Sequence, residues 1–464
     1  MSHLEGISIK PRFSLPFSTL FYPSGSIADN TEDHYRYWRW RIFYSIFFGY
    51  IFFYFTRKTL SVAMPLMITE LGYSKTDLGL LGSALYLSYG ISKFTSGIMS
   101  DRSNPRYFMA IGLIITGILN IFFGASSNFM MFVLFWGLNG WFQGWGWPPC
   151  ARLLSHWYSQ SERGRWWAVW STSHNIGGAL ILYIAAPVAA IYGWRYAFYV
   201  PALLSIGMGL VLLNRLRDTP QSLGLPSIEK FKNDYPVSSD KHDADDDNNL
   251  SVKEILFKYV FPNKYLWLLA LASFFVYTVR TGVNDWGIVY LTQTKGYDLV
   301  TASICVSGFE WGGVAGMLAA GWISDLLFGG KRGPANVCFS IGTAAAVFLF
   351  WSMPSQLPIV DTAILFLIGF FLFGPQMLIG LAAVEFSHKK AAGTASGFAG
   401  TFAYFGAAIA VAIIGYITEN WGWNGYFTSI FGASLLMVIL FIPMWSVGSA
   451  KKKCSQLKTA SNQA

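Results

Sequence analysis

About a dozen stretches of this chain run apolar for long enough to cross the roughly 30 Å of hydrocarbon in a bilayer at about 1.5 Å per helical residue. The clearest are Ile42 to Ile68, Tyr107 to Ala125, Tyr196 to Leu213 and Tyr426 to Val447. The others carry Gly, Pro or a few charges, which a helix packed inside a bundle tolerates because its neighbours re-satisfy the backbone. Only 12% of the residues are charged, against roughly a quarter in soluble domains, and 53% are hydrophobic. A water-soluble fold would have to hide too much apolar surface. The expected class is an all-α membrane protein.

The net charge of +9 invites a nucleic-acid reading, but the distribution of the basic residues argues for topology instead. Lys75, Arg195 and Lys295 are the basic residues of the short loops assigned to one side. Opposite them stand Arg36, Arg39, Arg41, Arg102, Arg106, Arg163, Arg165, Lys331, Arg332, Lys389, Lys390 and Lys451 to Lys453. The positive-inside rule then places both termini and the central loop in the cytoplasm of a cell inner-membrane protein, which requires an even number of spans. Twelve fits, and no nucleic-acid partner is expected. Residues 1 to 41 hold no early apolar stretch before a small-residue cleavage site, so a cleaved signal peptide is not expected. Cys150, Cys305, Cys338 and Cys454 show no paired spacing and read as reduced packing residues.

A hydrophilic stretch with Pro220, Pro226, Pro236 and the acidic run Asp243, Asp245, Asp246 and Asp247 divides the apolar segments six and six. The expected organisation is a cytoplasmic tail at 1–41, a six-helix bundle at 42–214, a cytoplasmic central loop at 215–262, a second six-helix bundle at 263–447 and a cytoplasmic tail at 448–464. The halves also resemble each other at a nearly fixed offset. Tyr54 to Arg57 (YFTR) returns as Tyr277 to Arg280 (YTVR) after 223 residues, and Gly97 to Asp101 (GIMSD) as Gly321 to Asp325 (GWISD) after 224. Ser161-Glu-Arg163 returns as Ser387-His-Lys389 after 226. Parallel six-span repeats around a midplane site are a common construction of secondary transporters.

Charges inside the apolar spans carry the chemistry. At the centre of a bilayer each costs roughly 2.5–3.5 kcal/mol on insertion scales, so Arg57, Lys58, Lys93 and Arg280 need compensation. Arg57 and Arg280 occupy equivalent places in the repeat, and Arg57 lies too deep to snorkel. They are expected to face each other and clamp one anion, because planar guanidinium forks match phosphate oxygens and stay charged throughout a cycle. Tyr54 and Tyr277, three residues before each Arg, share its helical face and either bond the cargo or hold the guanidinium. Lys58, Lys93, Asp285 and Glu310 form a second set, read as ion pairs that exchange partners between states, with the pairing left open. His174 either bonds a phosphate oxygen or packs as a satisfied histidine. Gly140 to Gly144 with Trp145-Gly-Trp-Pro-Pro149, and Gly369 to Gly374 with Pro375, are expected to allow close helix approach and a kink, with Trp147 a candidate cavity wall.

The segments GIMSDRSNPR at 97–106 and GWISDLLFGGKR at 321–332 resemble the cytoplasmic loop motif of the major facilitator superfamily. The motif residues here are Asp101, Arg102, Arg106 and Asp325, whose contacts can break as the halves rock. From about residue 34 to 447 the chain is similar to the organophosphate:phosphate antiporter family within it. The likeness rests on YFTRK at 54–58, SDRSNPR at 100–106, GWFQGWGWPPC at 140–150, HNIGG at 174–178, RDTPQSLGLP at 217–226 and GPQMLIG at 374–380. The resemblance implies a major facilitator fold of twelve helices in two pseudo-symmetric bundles, with Arg57 and Arg280 on phosphate and His174 assisting. It also implies switching salt bridges at Lys58, Lys93, Asp285 and Glu310, and a cavity-lining Tyr404.

The expected function is secondary active uptake of a hexose phosphate, glucose 6-phosphate foremost, in exchange for inorganic phosphate by alternating access. A membrane sensor of sugar phosphate signalling to a kinase partner, and a glycerol-3-phosphate:phosphate antiporter, are the alternatives. No nucleophile–base–orienter constellation, phosphate loop or metal-ligand cluster stands out, so neither an enzyme nor a cofactor is expected, and the working unit reads as a monomer.

Overall fold

The computed structural model describes residues 30–234, 254, 256–353, 356–387 and 391–446, and every regular element among them is helical. The first half comprises α1 (Thr31–Phe55), α2 (Thr59–Leu71), α3 (Lys75–Asp101), α4 (Pro105–Ala125), α5 (Phe129–Gln143), α6 (Trp147–Trp157), α7 (Gln160–Ser171), α8 (Ser173–Tyr192) and α9 (Tyr196–Arg215). A short α10 (Ile228–Lys232) follows on the connecting segment. The second half comprises α11 (Lys264–Thr294), α12 (Leu299–Phe328), α13 (Arg332–Ser352), α14 (Pro358–Phe386) and α15 (Ala392–Phe441). Among the described residues, eight helical stretches are long and apolar enough to cross a membrane. One of these stretches, Gly393–Met444, holds two spans, because the chain turns at Gly422, whose φ of 67° suits a residue without Cβ. The remaining spans are the polar-faced α3 and the two that are interrupted, α1–α2 and α5–α6. Twelve crossings result among the described residues, an even number as the charge distribution required.

Both interruptions have a local cause. Between α1 and α2 the chain leaves the helix at Thr56, Arg57 and Lys58, and the Phe53 and Thr56 carbonyls turn to side-chain donors. Asn139 and Asn120 donate to the Thr56 carbonyl at 2.8 and 3.1 Å, and Gln143 donates to the Phe53 carbonyl at 3.0 Å. An unpaired carbonyl in hydrocarbon costs several kcal/mol, so these three amides are what allow a break at that depth. Between α5 and α6 the break falls at Gly144 to Gly146, ahead of Pro148 and Pro149. A Cβ on Gly144 would overlap the Ser92 hydroxyl, so α3 lies tight against this bend, and Ser96 donates to the Gly144 carbonyl at 2.8 Å. In the second-half counterpart α14 runs on through Pro375 as one helix, and the close approach holds, since a Cβ on Gly369 would overlap the Phe309 carbonyl and one on Gly374 the Phe339 ring. Likewise Arg57 sits in a break while its repeat partner Arg280 lies within the continuous α11.

The halves meet along α3 with α15, α8 with α12, and α2 with α11. Toward the end that carries the loop before Lys75, the Lys75 amide donates to Glu419 at 2.8 Å, Ser83 to the Ala408 carbonyl at 2.8 Å and Ser307 to the Tyr183 hydroxyl at 2.7 Å. At the opposite end, where α1 begins and α9 finishes, the described ion pairs each stay within one half. They join Arg39 to Glu162 at 2.5 Å, Arg152 to Asp218 at 3.0 Å, and Arg332 to Asp325 and Glu385 at 2.8 and 3.2 Å. Asp325 of the second loop motif is thus tied to its own helix ends. Arg102 follows α3 as its C-cap and Arg106 bonds the end of α9, whereas the side chain of Asp101 lies outside what is described. Lys389, Lys390, Lys451 to Lys453 and Cys454 also fall outside the described residues, as do 1–29 and 447–464 of the two tails and most of 235–255 in the central loop. Cys150 and Cys305 are buried free thiols, as read from spacing, but Cys338 is exposed on the bundle surface.

Candidate functional site

Halfway along the bundle, between the two halves, lies a narrow cavity of about 20 Å³, lined by Tyr54, Arg57, Lys58, Tyr86, Tyr277, Arg280, Thr281, Asn284 and Tyr404. The break in the first span delivers Arg57 and Lys58 to it, and α11 delivers Tyr277 to Asn284. Arg57 and Arg280 are only 8% and 7% exposed, so both are interior charges and neither snorkels to an interface.

The two guanidiniums converge. Arg57 Nη1 donates to the Tyr54 hydroxyl oxygen at 3.3 Å and Arg280 Nη2 donates to the same oxygen at 3.5 Å. Their nitrogens can be no further apart than the sum of those distances, a gap that one tetrahedral oxyanion bridges. Gln143, which also seals the helix break, takes Arg57 Nε at 3.2 Å. Aromatic faces support the charges: Tyr89 lies 4.3 Å and Tyr54 4.7 Å from the Arg57 guanidinium carbon, and Phe373 and Tyr277 lie 5.0 and 5.3 Å from that of Arg280. Tyr404 packs edge-on to Tyr277 at 5.3 Å and against Tyr89 at 4.4 Å.

The intramembrane carboxylates gather on one lysine. Lys58 Nζ stands 3.8 Å from Asp285 and 3.9 Å from Glu310, which settles a pairing that spacing alone left open. Each carboxylate also accepts a hydrogen bond from the first half: Tyr86 to Asp285 at 2.8 Å and Asn175 to Glu310 at 2.7 Å. Lys93 does not join them. Its ammonium lies 5.1 Å from the Tyr404 ring and 5.5 Å from the Trp147 ring, and no ion pair reaches it among the described residues. Its distance from both acids reflects its place on α3, one helical turn beyond Tyr89 on the far side of Tyr404. Trp147 likewise faces away from the central cavity, lining a vestibule of about 580 Å³ with Pro148, Arg152 and His156 at the end where α1 begins.

The buried polar atoms at the site with no described hydrogen-bond partner include the Asn284 amide nitrogen and His174 Nε2. The His174 ring lies 5.7 Å from that of Tyr54 and 6.1 Å from that of Phe373, which places it beside the arginine pair. Buried polar atoms without partners carry a cost of roughly 1–3 kcal/mol each, a cost that a bound polar ligand removes.

Sequence reading missed Gln143, Tyr86, Tyr89, Asn175 and Asn284. The signal for Tyr86 and Tyr89 was present, because both share a helical face with Lys93. The others are polar residues whose importance depends on what packs opposite. A buried cluster also went unread: Lys295 pairs with Asp361 at 2.5 Å, and Tyr297 donates to the same carboxylate at 2.7 Å. Lys295 does follow α11 as its C-cap, at the loop where it is expected, but its side chain is buried.

Comparison with known proteins places these features in a family. A profile described as Major Facilitator Superfamily matches residues 46–411. The chain is 59% identical over 422 residues to a probable hexose phosphate transport protein of Chlamydia trachomatis serovar D, covering 89% of this chain and 92% of that one. It is 50% identical over 413 residues to the membrane sensor protein UhpC of Salmonella typhimurium, covering 89% and 92%. Among solved structures it superposes with a TM-score of 0.71, at 14% identity, on a bacterial homologue of the human lysosomal transporter Spinster in an inward-facing, unoccupied conformation, covering 88% and 96%. That last likeness concerns the fold alone.

Proposed function

This chain belongs to the Major Facilitator Superfamily, and we propose that it takes up a hexose phosphate in exchange for inorganic phosphate. It is a membrane transporter and not an enzyme, in keeping with its relatives. The observation that carries the substrate class is the convergence of Arg57 and Arg280 on one phenolic oxygen in a buried cavity. Formal charge supports it. Arg57, Lys58, Lys93 and Arg280 supply four positive charges in and beside the cavity against the two carboxylates of Asp285 and Glu310, an excess that a phosphoryl dianion cancels. Inorganic phosphate and a phosphate ester share that group, so both satisfy the same clamp while only the ester reaches further.

In this reading Arg57 and Arg280 grip the phosphoryl group, and the hydrogen of the Tyr54 hydroxyl is left to donate to it. His174 Nε2 and the Asn284 amide reach polar groups of the cargo, and Tyr277 and Tyr404 wall the cavity. Lys58, Asp285 and Glu310 hold the halves together on the far side of the clamp from the vestibule, while Lys93 faces the route out past Trp147. The structure then corresponds to the state open toward the end carrying the termini. The excess of basic residues at that end supports placing it in the cytoplasm of a cell inner membrane. Cargo drives exchange by binding more tightly to the state in which the halves close over it.

Similarity to a membrane sensor at 50% identity favours one other reading, in which binding signals to a partner and flux is slight. Reconstitution into liposomes loaded with phosphate separates the two. Uptake of radiolabelled glucose 6-phosphate that requires internal phosphate, and that unlabelled ester but not free glucose competes away, is the expected result. Equal competition by free glucose would remove the phosphate-centred site, and tight binding without flux would favour the sensor.

A further inference from the structure

Three arginines crowd one corner of the molecule away from the central cavity. Arg41 of α1, Arg106 at the start of α4 and Arg217 just past α9 all turn their guanidiniums onto the last carbonyls of α9. Arg41 Nε donates to the Arg215 carbonyl at 3.3 Å and its Nη2 to the Asn214 carbonyl at 3.2 Å. Arg106 Nε donates to the Leu213 carbonyl, and Arg217 Nη1 to the Asn214 and Leu216 carbonyls at 2.9 and 2.7 Å. One cation at a helix C-terminus satisfies the partial charge there. Three exceed it, and no carboxylate pairs with any of them among the described residues. The nearest in sequence, Asp218, is taken by Arg152 at 3.0 Å. Burial, then the positive charges of Arg106 and Arg41, hold the Arg217 guanidinium below its ordinary range.

The surroundings say what kind of anion would relieve this crowding. Trp38 lies 4.8 Å from the Arg41 and 5.3 Å from the Arg217 guanidinium carbon, and Tyr107 lies 5.2 Å from that of Arg106. Tyr107, Ile111, Leu210 and Val211 on α4 and α9 form an exposed apolar strip at the same end. A cationic cluster edged by Trp and Tyr at the end of an apolar strip matches the headgroup level of a bilayer. The donors are not exhausted either, since both Nη groups of Arg106 and the Nη2 of Arg217 have no described partner among the described residues. We propose that Arg41, Arg106 and Arg217 bind the phosphodiester headgroup of an anionic phospholipid, whose acyl chains lie along the α4–α9 strip.

The test uses the full-length protein in detergent with defined lipid added, counting retained lipid by native mass spectrometry. Phosphatidylglycerol should be retained in preference to phosphatidylcholine, and millimolar inorganic phosphate should leave it in place. Arg106→Gln with Arg217→Gln should weaken retention about 25-fold, at roughly fivefold per arginine. Arg102→Gln with Arg165→Gln, at the same end, should leave it unchanged. If the double Gln variant does not yield monodisperse protein, Arg106→Lys with Arg217→Lys keeps the charge and should retain phosphatidylglycerol over phosphatidylcholine. Equal retention of the two lipids, undiminished retention in the Gln variant, or displacement of lipid by inorganic phosphate would overturn the proposal.

Discussion

Asn175 of α8 donates a hydrogen bond of 2.7 Å to Glu310 of α12, so a neutral amide from one half holds the carboxylate that faces Lys58. The contact spans the interface between the repeats and lies next to the arginine pair. Whatever rearranges the clamp must act on it.

Replacing Glu310 by Gln leaves Lys58 with Asp285 as its only described counter-charge and removes the charged acceptor of Asn175. Uncompensating a buried ion costs about 3–5 kcal/mol, less where a second anion remains. The expected outcome is a fall of at least tenfold in phosphate exchange, with a further loss of thermal stability when Lys58→Gln is added, because that change strands the Asp285 carboxylate. Exchange rates in liposomes and melting temperatures in detergent check both.

Arg57→Lys and Arg280→Lys preserve charge but lose the fork. Hydrogen bonds to charged groups contribute roughly 1.5–3 kcal/mol, so each change should lower kcat/KM for exchange by about tenfold to a hundredfold. Tyr54→Phe removes one neutral hydroxyl and should cost less, on the order of a few-fold to tenfold. A Tyr54→Phe effect larger than either arginine change would contradict the clamp as described.

Asn139→Leu strips the Thr56 carbonyl of one of its two amide donors, and Gln143→Leu frees both the Phe53 carbonyl and Arg57 Nε. The first should lower stability by about 1–3 kcal/mol with a smaller effect on exchange. The second should lower both, because the same amide holds the helix break and the guanidinium. Parallel melting and transport measurements distinguish the two patterns.

The Lys295–Asp361 pair, nearly inaccessible on both sides, predicts a non-additive result. Lys295→Met alone strands a carboxylate and should destabilise by about 3–5 kcal/mol, whereas Lys295→Met with Asp361→Leu should recover much of that loss. A double-mutant cycle read by thermal unfolding gives the coupling. Additive effects would show that the pair contributes little.

Much of the site was legible because charge inside an apolar run is costly enough to demand a reason. Arg57, Arg280, Lys58, Asp285 and Glu310 stood out on that ground, and the repeat register linked the two arginines. Lys93 was legible as an intramembrane charge but not as a residue apart from the ion pairs, since depth in a span says nothing about which neighbour an ammonium meets. Gln143 and Asn175 were not legible at all. An amide in a membrane helix is cheap, and its role here depends on a broken helix and a carboxylate brought from distant parts of the chain.

The sequence by itself determined the membrane class, an even number of crossings, the internal repeat and which charges lie inside the spans, because hydrocarbon thickness and the cost of burying charge act on local composition. Only the tertiary structure decided that the first span breaks at Thr56 to Lys58 while the seventh stays whole, that Lys58 alone gathers both carboxylates, and that two arginines share Tyr54. Those outcomes depend on distances between helices, and such distances are set by packing of all the spans together.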